Sequence, residues 1–177
     1  FRTAPSDARG GQILADVTND RKVKSVAITY TNNDYGKGLA DVYKAAVEAH
    51  GIKVTTVTAH EDGKADYSSE VATLASAGGD AVAVIGYLDQ GGKGIIQGSL
   101  DSGAFDKFIL SDGMIGDSLT DAFGKDLNKS FGSMPGSMNK KTAGTFASVA
   151  KAAGIDSSGP YTGESYDAGA LIVLAMQ

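Results

Sequence analysis

Aromatic and acidic side chains follow three predicted strands of this chain, each at the strand's carboxyl end. Tyr35 follows the first strand, Tyr87 and Asp89 follow the third, and Asp112 follows the fourth. In a parallel sheet these ends lie at one edge, and ligands bind in the loops beyond it. A tyrosine ring attracts cations and packs on apolar groups, and a carboxylate pairs with an ammonium. The set therefore predicts a site for an amino-acid-like ligand.

The same residues also suit a structural role. Asp and Asn are common in loops and helix caps, and Tyr35 could simply staple the start of the helix that follows. A third possibility is a magnesium site formed by Asp34, Asp89 and Asp112. No serine or lysine pattern of a phosphoryl-transfer site accompanies these aspartates, so no metal is expected. Spacing alone leaves the ligand-binding and structural interpretations open.

These loops belong to a regular alternation of predicted strands and helices. The strands are expected at 25–30, 52–58, 81–85, 107–110 and 131–134. The helices between and around them are expected at 6–17, 35–50, 92–102 and 119–123, with another beginning at Asp66. Strand-length apolar runs that alternate with helical segments are typical of a parallel sheet with crossover helices. We therefore expect an α/β fold with a doubly wound parallel sheet and flanking helices.

The pattern changes near residue 134. A turn signal, Met-Pro-Gly-Ser at 134–137, precedes two predicted helices at 141–153 and 165–176. Each helix has an apolar face that the two alone cannot cover, so a covering partner is expected from outside these residues. Domains are accordingly expected at 1–134 and 135–177. Because the sequence starts at Phe1 and stops inside an apolar run, we interpret it as a piece of a longer protein.

Composition argues against several classes of function. The net charge is −5 and the basic residues are scattered, which disfavours a nucleic-acid surface. There is no cysteine, which excludes disulfides, thiolate metal sites and a cysteine nucleophile. No apolar run reaches the roughly 18 residues of a membrane span, so no direct membrane insertion is expected. His50 and His60 form no zinc or triad pattern, and no cofactor is expected.

A glycine-rich turn at 91–94, Gly-Gly-Lys-Gly, lies where a phosphate cradle would at the start of a helix. The Walker spacing is absent, and the dinucleotide pattern fails because Gln97 stands at the third glycine position. The turn therefore supports a nucleotide-using α/β enzyme only as a weaker alternative.

Several short motifs, taken in chain order, resemble one family. They are FRTAPSD at 1–7, VAI at 26–28, NDYGKG at 33–38, DYS at 66–68 and YDA at 166–168. In this order they resemble the periplasmic amino-acid-binding proteins, and more narrowly the leucine/isoleucine/valine-binding receptors of ABC importers. Each motif is short, but the ordered set covers nearly the whole chain.

The resemblance implies two α/β lobes that close on a ligand about a hinge. Residues 1–134 would then form the second lobe, entered at Phe1 from the hinge. Residues 135–177 would form a crossover and helices of the first lobe. Tyr35 and Tyr87 would wall the ligand side chain, and Asp112 would hold its ammonium.

One position departs from the leucine-type receptors, which carry Glu where this chain has Asp112. The shorter side chain implies a longer reach or a bulkier ligand. With Asp89 as a further carboxylate nearby, the resemblance leaves room for a polar or basic amino acid as well as a branched-chain or other aliphatic one, so it does not by itself imply leucine specificity.

The resemblance further implies a periplasmic or cell-surface anchored receptor that is not an enzyme. It would pass an amino acid to the membrane permease of an ABC importer. The first alternative is the ligand-sensing domain of a receptor or transcription regulator with the same fold, which would need a DNA-binding module or membrane anchor elsewhere. The nucleotide-using enzyme is the remaining alternative.

Overall fold

The computed structural model describes residues 2–136, 139–157 and 159–177. It divides into two compact units, Ser6–Ser133 and Phe1–Pro5 with Met134–Gln177. The expected hinge position of Phe1 and the last residue of the 134–137 turn lie outside the described residues. The assignment of the two units to lobes stays a prediction.

The larger unit is built on one parallel sheet of five strands. The strands are β1 (Ser25–Thr31), β2 (Lys53–His60), β3 (Ala81–Ile85), β4 (Phe108–Leu110) and β5 (Phe131–Gly132). Their spatial order is β2-β1-β3-β4-β5. β5 is shorter than the predicted strand at 131–134, because its register with β4 ends at the Leu110–Gly132 pair; beyond that pair, Ser133 N–H donates to the Leu110 carbonyl oxygen at 3.3 Å.

Helices pack on both faces of this sheet. They are α1 (Asp7–Asp20), α2 (Asp34–Ala49), α3 (Ser68–Ala77), α4 (Lys93–Ser102) and α5 (Asp117–Phe123). α1 and α2 cover one face and α3 to α5 the other, as their separate buried clusters show. The predicted doubly wound α/β fold is therefore confirmed.

The strand pattern explains the two-sided core. In β1, Val26 and Ile28 pack towards α1 and α2, whereas Ala27 packs towards α3 and α4. Successive side chains of a strand point to opposite faces, so a run of apolar residues such as AVAVI at Ala81–Ile85 serves both clusters. All five residues of β3 are fully buried, as expected for a central strand.

A side-chain cap and a glycine fix the position of the first turn of α2. The backbone N–H of Gly36 donates to Asn33 Oδ1 at 2.9 Å, which caps the helix. A Cβ at Gly36 would overlap the carbonyl oxygen of Thr31, so only glycine allows the helix to begin this close to the end of β1. Tyr35 is consequently held directly above the sheet edge.

The smaller unit contains α6 (Lys140–Ala152) and α7 (Thr162–Ala175). The ring of Phe146 in α6 and the ring of Tyr166 in α7 have centroids 5.3 Å apart. The apolar residues near the end of α7 are exposed, with Leu174 65% exposed. Across the described ranges, no helix combines the length and the apolar character that crossing a membrane requires.

Candidate functional site

The strand order brings three loops of the larger unit together. β1, β3 and β4 are neighbours and all run parallel, so their carboxyl ends share one edge of the sheet. The chain leaves β1 for β2 on one side and enters β3 on the other, which opens a crevice between β1 and β3. Tyr35, Tyr87 and Asp112 follow these three strands.

The two tyrosines stack on each other at this edge. Tyr35 lies in the first turn of α2 and Tyr87 directly follows β3. Their ring centroids are 5.4 Å apart with an angle of 27° between the planes. Both side chains are half-buried, so the pair forms an apolar wall with polar edges at the crevice.

Asp112 joins this pair through a hydrogen bond. The Tyr35 hydroxyl donates to Asp112 Oδ1 at 2.7 Å and lies 3.3 Å from Ser111 Oγ. Burial raises the pKa of the Tyr35 phenol, and the nearby Asp112 carboxylate raises it further, against opposing hydrogen bonds from Ser111 and Gly113. The phenol therefore stays protonated at neutral pH and orients the carboxylate.

Two residues beside Asp112 hold its loop against the loop after β3. Ser111 Oγ accepts a hydrogen bond from the backbone N–H of Gly86 at 3.3 Å. A Cβ at Gly113 would overlap the carbonyl oxygen of Gly86 and lie 3.3 Å from the Tyr87 ring. Neither role was predicted from the sequence, where the signal for them is the pair of small residues on either side of the aspartate.

Asp89 is not brought into this cluster. It lies in an irregular turn at Leu88–Gly92, where its carboxylate pairs with Lys93 Nζ at 2.6 Å. Its side chain is 70% exposed. The structure thus joins three of the four predicted site residues and pairs the fourth with a lysine one helical turn away.

The glycine-rich turn at 91–94 has a packing explanation. A Cβ at Gly91 would lie 2.7 Å from the Tyr67 hydroxyl, and one at Gly94 would overlap the Tyr67 ring. A Cβ at Gly92 would overlap the side chain of Met114. Because side chains cover this backbone, the glycines are required for close contact and the turn does not present its amides as a phosphate cradle.

The chemistry of the cluster suits an organic cation. Within the described ranges, no group of three or more His, Asp or Glu side chains is arranged to hold a metal ion. The cluster instead combines one carboxylate with two π faces, and both attract an ammonium group. Apolar ring surface beside the carboxylate suits an aliphatic side chain attached to that group.

Comparison with known proteins identifies the family of this chain. The sequence matches the family described as periplasmic binding protein over residues 1–177. The chain belongs to the periplasmic binding protein family. Among curated relatives, it is 39% identical over 93 residues to Leu/Ile/Val-binding protein homolog 3 of Brucella melitensis. That alignment covers 52% of this chain and 25% of the relative, so the chain spans a minor part of the relative's length.

Two solved ligand-binding proteins share the fold. A leucine binding protein from Thermotoga maritima superimposes with a TM-score of 0.80 at 20% identity, covering 99% of this chain and 51% of that one. A substrate-binding protein of an ABC transporter from Desulfitobacterium hafniense, solved in complex with Leu, gives 0.67 at 20% identity, covering 95% and 48%. The chain therefore corresponds to about half of each of these proteins.

Proposed function

We propose that the protein containing this chain is an extracytoplasmic solute-binding receptor that captures an amino acid for an ABC importer. The observation that carries the proposal is the cluster of Tyr35, Tyr87 and Asp112 at the carboxyl edge of the sheet. Membership of the periplasmic binding protein family supports a receptor rather than an enzyme. The leucine-bound relative supports an amino acid as the ligand.

Each residue of the cluster has a role in this proposal. Asp112 neutralises the ligand's ammonium, and Tyr35 holds that carboxylate through its hydroxyl. The stacked faces of Tyr35 and Tyr87 pack on the ligand side chain. Asp89, the fourth predicted residue, lies outside this cluster, and its pairing with Lys93 reduces its attraction for a basic ligand.

We assign residues 1–134 to the second lobe and 135–177 to a crossover and helices of the first lobe. In this assignment the groups that bind the ligand's carboxylate belong to the part of the first lobe outside this chain. Closure of the two lobes then supplies the second set of contacts and presents the complex to a membrane permease.

A ligand screen of the full-length protein tests the proposal. Thermal unfolding and calorimetry would be run with each common amino acid, and with ATP and NAD as controls. We expect one group of amino acids to raise the unfolding midpoint, with a shift that grows with the logarithm of concentration above saturation. A shift with a nucleotide alone, or no shift with any amino acid, would contradict the receptor function.

A further inference from the structure

The loop between β2 and α3 contains none of the proposed ligand contacts. It is nevertheless hydrogen-bonded to the segments after β1 and after β3, which carry Tyr35 and Tyr87. We name residues 61–67 the brace loop. On one side, Thr31 Oγ1 donates to Asp62 Oδ1 at 2.6 Å and Asn32 Nδ2 donates to Glu61. These bonds hold the segment that leads from β1 into Tyr35.

On the other side, the brace loop is bonded to the turn that follows Tyr87. The backbone N–H of Gly63 donates to the carbonyl oxygen of Gln90. The Tyr67 hydroxyl lies 2.9 Å from that same oxygen and 2.9 Å from the carbonyl oxygen of Glu61, and it accepts from Lys64 N–H at 3.1 Å. Tyr67 is only 6% exposed, so these bonds form away from competing water.

The Tyr67 ring is fitted beneath the same turn. It fills the space that Cβ atoms at Gly91 and Gly94 would need. Its edge meets the ring of His60, with centroids 6.3 Å apart and an angle of 81°. His60 is 1% exposed, and its Nδ1 is hydrogen-bonded to Thr29 Oγ1 at 2.9 Å. The two rings therefore pack against the backbone of the Leu88–Gly92 turn on its sheet side.

A short path of bonds connects Tyr67 to the binding wall. The Tyr67 hydroxyl is bonded to Gln90, and the backbone N–H of Gln90 donates to the carbonyl oxygen of Tyr87 at 3.3 Å. The N–H of Gly92 donates to that same Tyr87 oxygen at 3.1 Å. The position of the Tyr87 backbone, and with it the ring stacked on Tyr35, depends on this turn.

We propose that Tyr67 is a positioning residue for ligand binding: its hydroxyl ties the brace loop to the Leu88–Gly92 turn and thereby presents Tyr87 against Tyr35. The proposal rests on the receptor function proposed above. Holding a binding wall in place before the ligand arrives removes an ordering cost that binding would otherwise bear. Loss of the hydroxyl therefore weakens binding although Tyr67 does not touch the ligand.

The test compares two buried tyrosines in the full-length protein. Tyr67→Phe keeps the ring and removes the bonds to Glu61, Lys64 and Gln90. Tyr43→Phe is the matched control, because Tyr43 is fully buried and its hydroxyl bonds Thr18 at 3.0 Å. Tyr43 lies eight residues along α2 from Tyr35, about 12 Å at the rise of a helix.

Two measurements are made on each variant. The first is fluorine NMR of 3-fluorotyrosine incorporated at Tyr87, which reports the ring's surroundings without any ligand. The second is calorimetric affinity for the amino acid that stabilises the wild type most. We expect Tyr67→Phe to shift or broaden the Tyr87 signal and to weaken binding about tenfold, and Tyr43→Phe to leave both unchanged while lowering the unfolding midpoint.

The outcomes separate this proposal from the receptor function. An unchanged Tyr87 signal in Tyr67→Phe, or a changed signal with unchanged affinity, would overturn the positioning role. Equal effects from Tyr67→Phe and Tyr43→Phe would overturn it too, because both would then act through stability alone. If no amino acid binds the wild type, the receptor function fails, while the fluorine signal still decides whether Tyr67 positions Tyr87.

Discussion

The carboxylate of Asp112 is the charged group of the proposed site, and its removal is the most direct test of a single residue. Asp112→Asn keeps the shape and the acceptor for the Tyr35 hydroxyl but removes the charge. We expect affinity for the amino-acid ligand to fall at least about 30-fold, equivalent to about 2 kcal/mol, because the bound ammonium loses its counter-charge. Calorimetry of the full-length variant measures this loss.

Asp89→Asn is the matched control for that change. It removes the same charge from an exposed side chain that already pairs with Lys93. Exposed ion pairs contribute little, so we expect less than about a fivefold change in affinity. If the two variants lost affinity equally, Asp112 would have no special place in the site.

His60 predicts a pH dependence of stability. Burial lowers its pKa from the usual 6.5, and this outweighs the attraction of Asp62, Glu70 and Glu61, which raises it. Below about pH 6.5 the unfolded chain binds a proton that the folded chain resists, so the free energy of unfolding falls as the pH drops. Above that pH His60 is neutral in both the folded and the unfolded chain, so it no longer makes the free energy of unfolding depend on pH.

Denaturant unfolding between pH 5 and 8 measures this effect, with His60→Asn as the reference. We expect the wild type to lose stability more steeply than the variant below about pH 6.5, by at most about 1.4 kcal/mol per pH unit. Parallel profiles would mean that His60 takes up its proton equally well in the folded protein.

At the scale of elements, the fit between α4 and Tyr67 depends on glycine. Gly94→Ala would push a methyl group into the Tyr67 ring. Gly38, exposed in α2, has open space around it, so Gly38→Ala meets no obstacle. We expect Gly94→Ala to lower the free energy of unfolding by about 1–3 kcal/mol through overpacking and Gly38→Ala to raise it by about 0.5–1 kcal/mol.

Equilibrium unfolding in urea compares both variants with the wild type. Stabilisation by Gly94→Ala would contradict the packing explanation of the glycine-rich turn and would favour its interpretation as a binding loop.

The helices and strands were largely predictable because their signals are local. The apolar run of β3 and the start of α2 are visible in neighbouring residues, and Asp66 accepts a hydrogen bond from Ser68 N–H at the start of α3. The short β5 was predicted too long, since strand length depends on the length of its partner β4. The glycine-rich turn at 91–94 was ambiguous for a similar reason, because the side chain that requires two of its glycines, Tyr67, is distant in the sequence.

At the scale of the whole molecule, α7 presents a mostly apolar surface. Leu171, Ile172, Val173 and Leu174 are all more than half exposed. We expect the 177-residue chain, produced by itself, to self-associate through this helix, because large exposed apolar surfaces drive association. Sedimentation velocity measures the distribution of species.

The double variant Leu171→Lys and Leu174→Lys should shift that distribution towards monomer. Asp167→Lys is the control, since it raises the net charge by the same two units, from −5 to −3, without removing apolar surface. A monomeric wild-type chain, or equal effects from the two changes, would contradict a role for the apolar face of α7.

The sequence by itself determined the α/β alternation and the order of its strands along the chain. It also indicated that Tyr35, Tyr87 and Asp112 follow strands whose ends share one edge. Strands are visible in short runs of neighbouring residues, and strands joined by crossover helices run parallel, so their carboxyl ends lie together. Only the tertiary structure decided the Tyr35–Asp112 bond, the pairing of Asp89 with Lys93 and the place of Tyr67 beneath the turn. These contacts depend on which rotamers fit against partners from other elements, and periodicity carries no information about that fit.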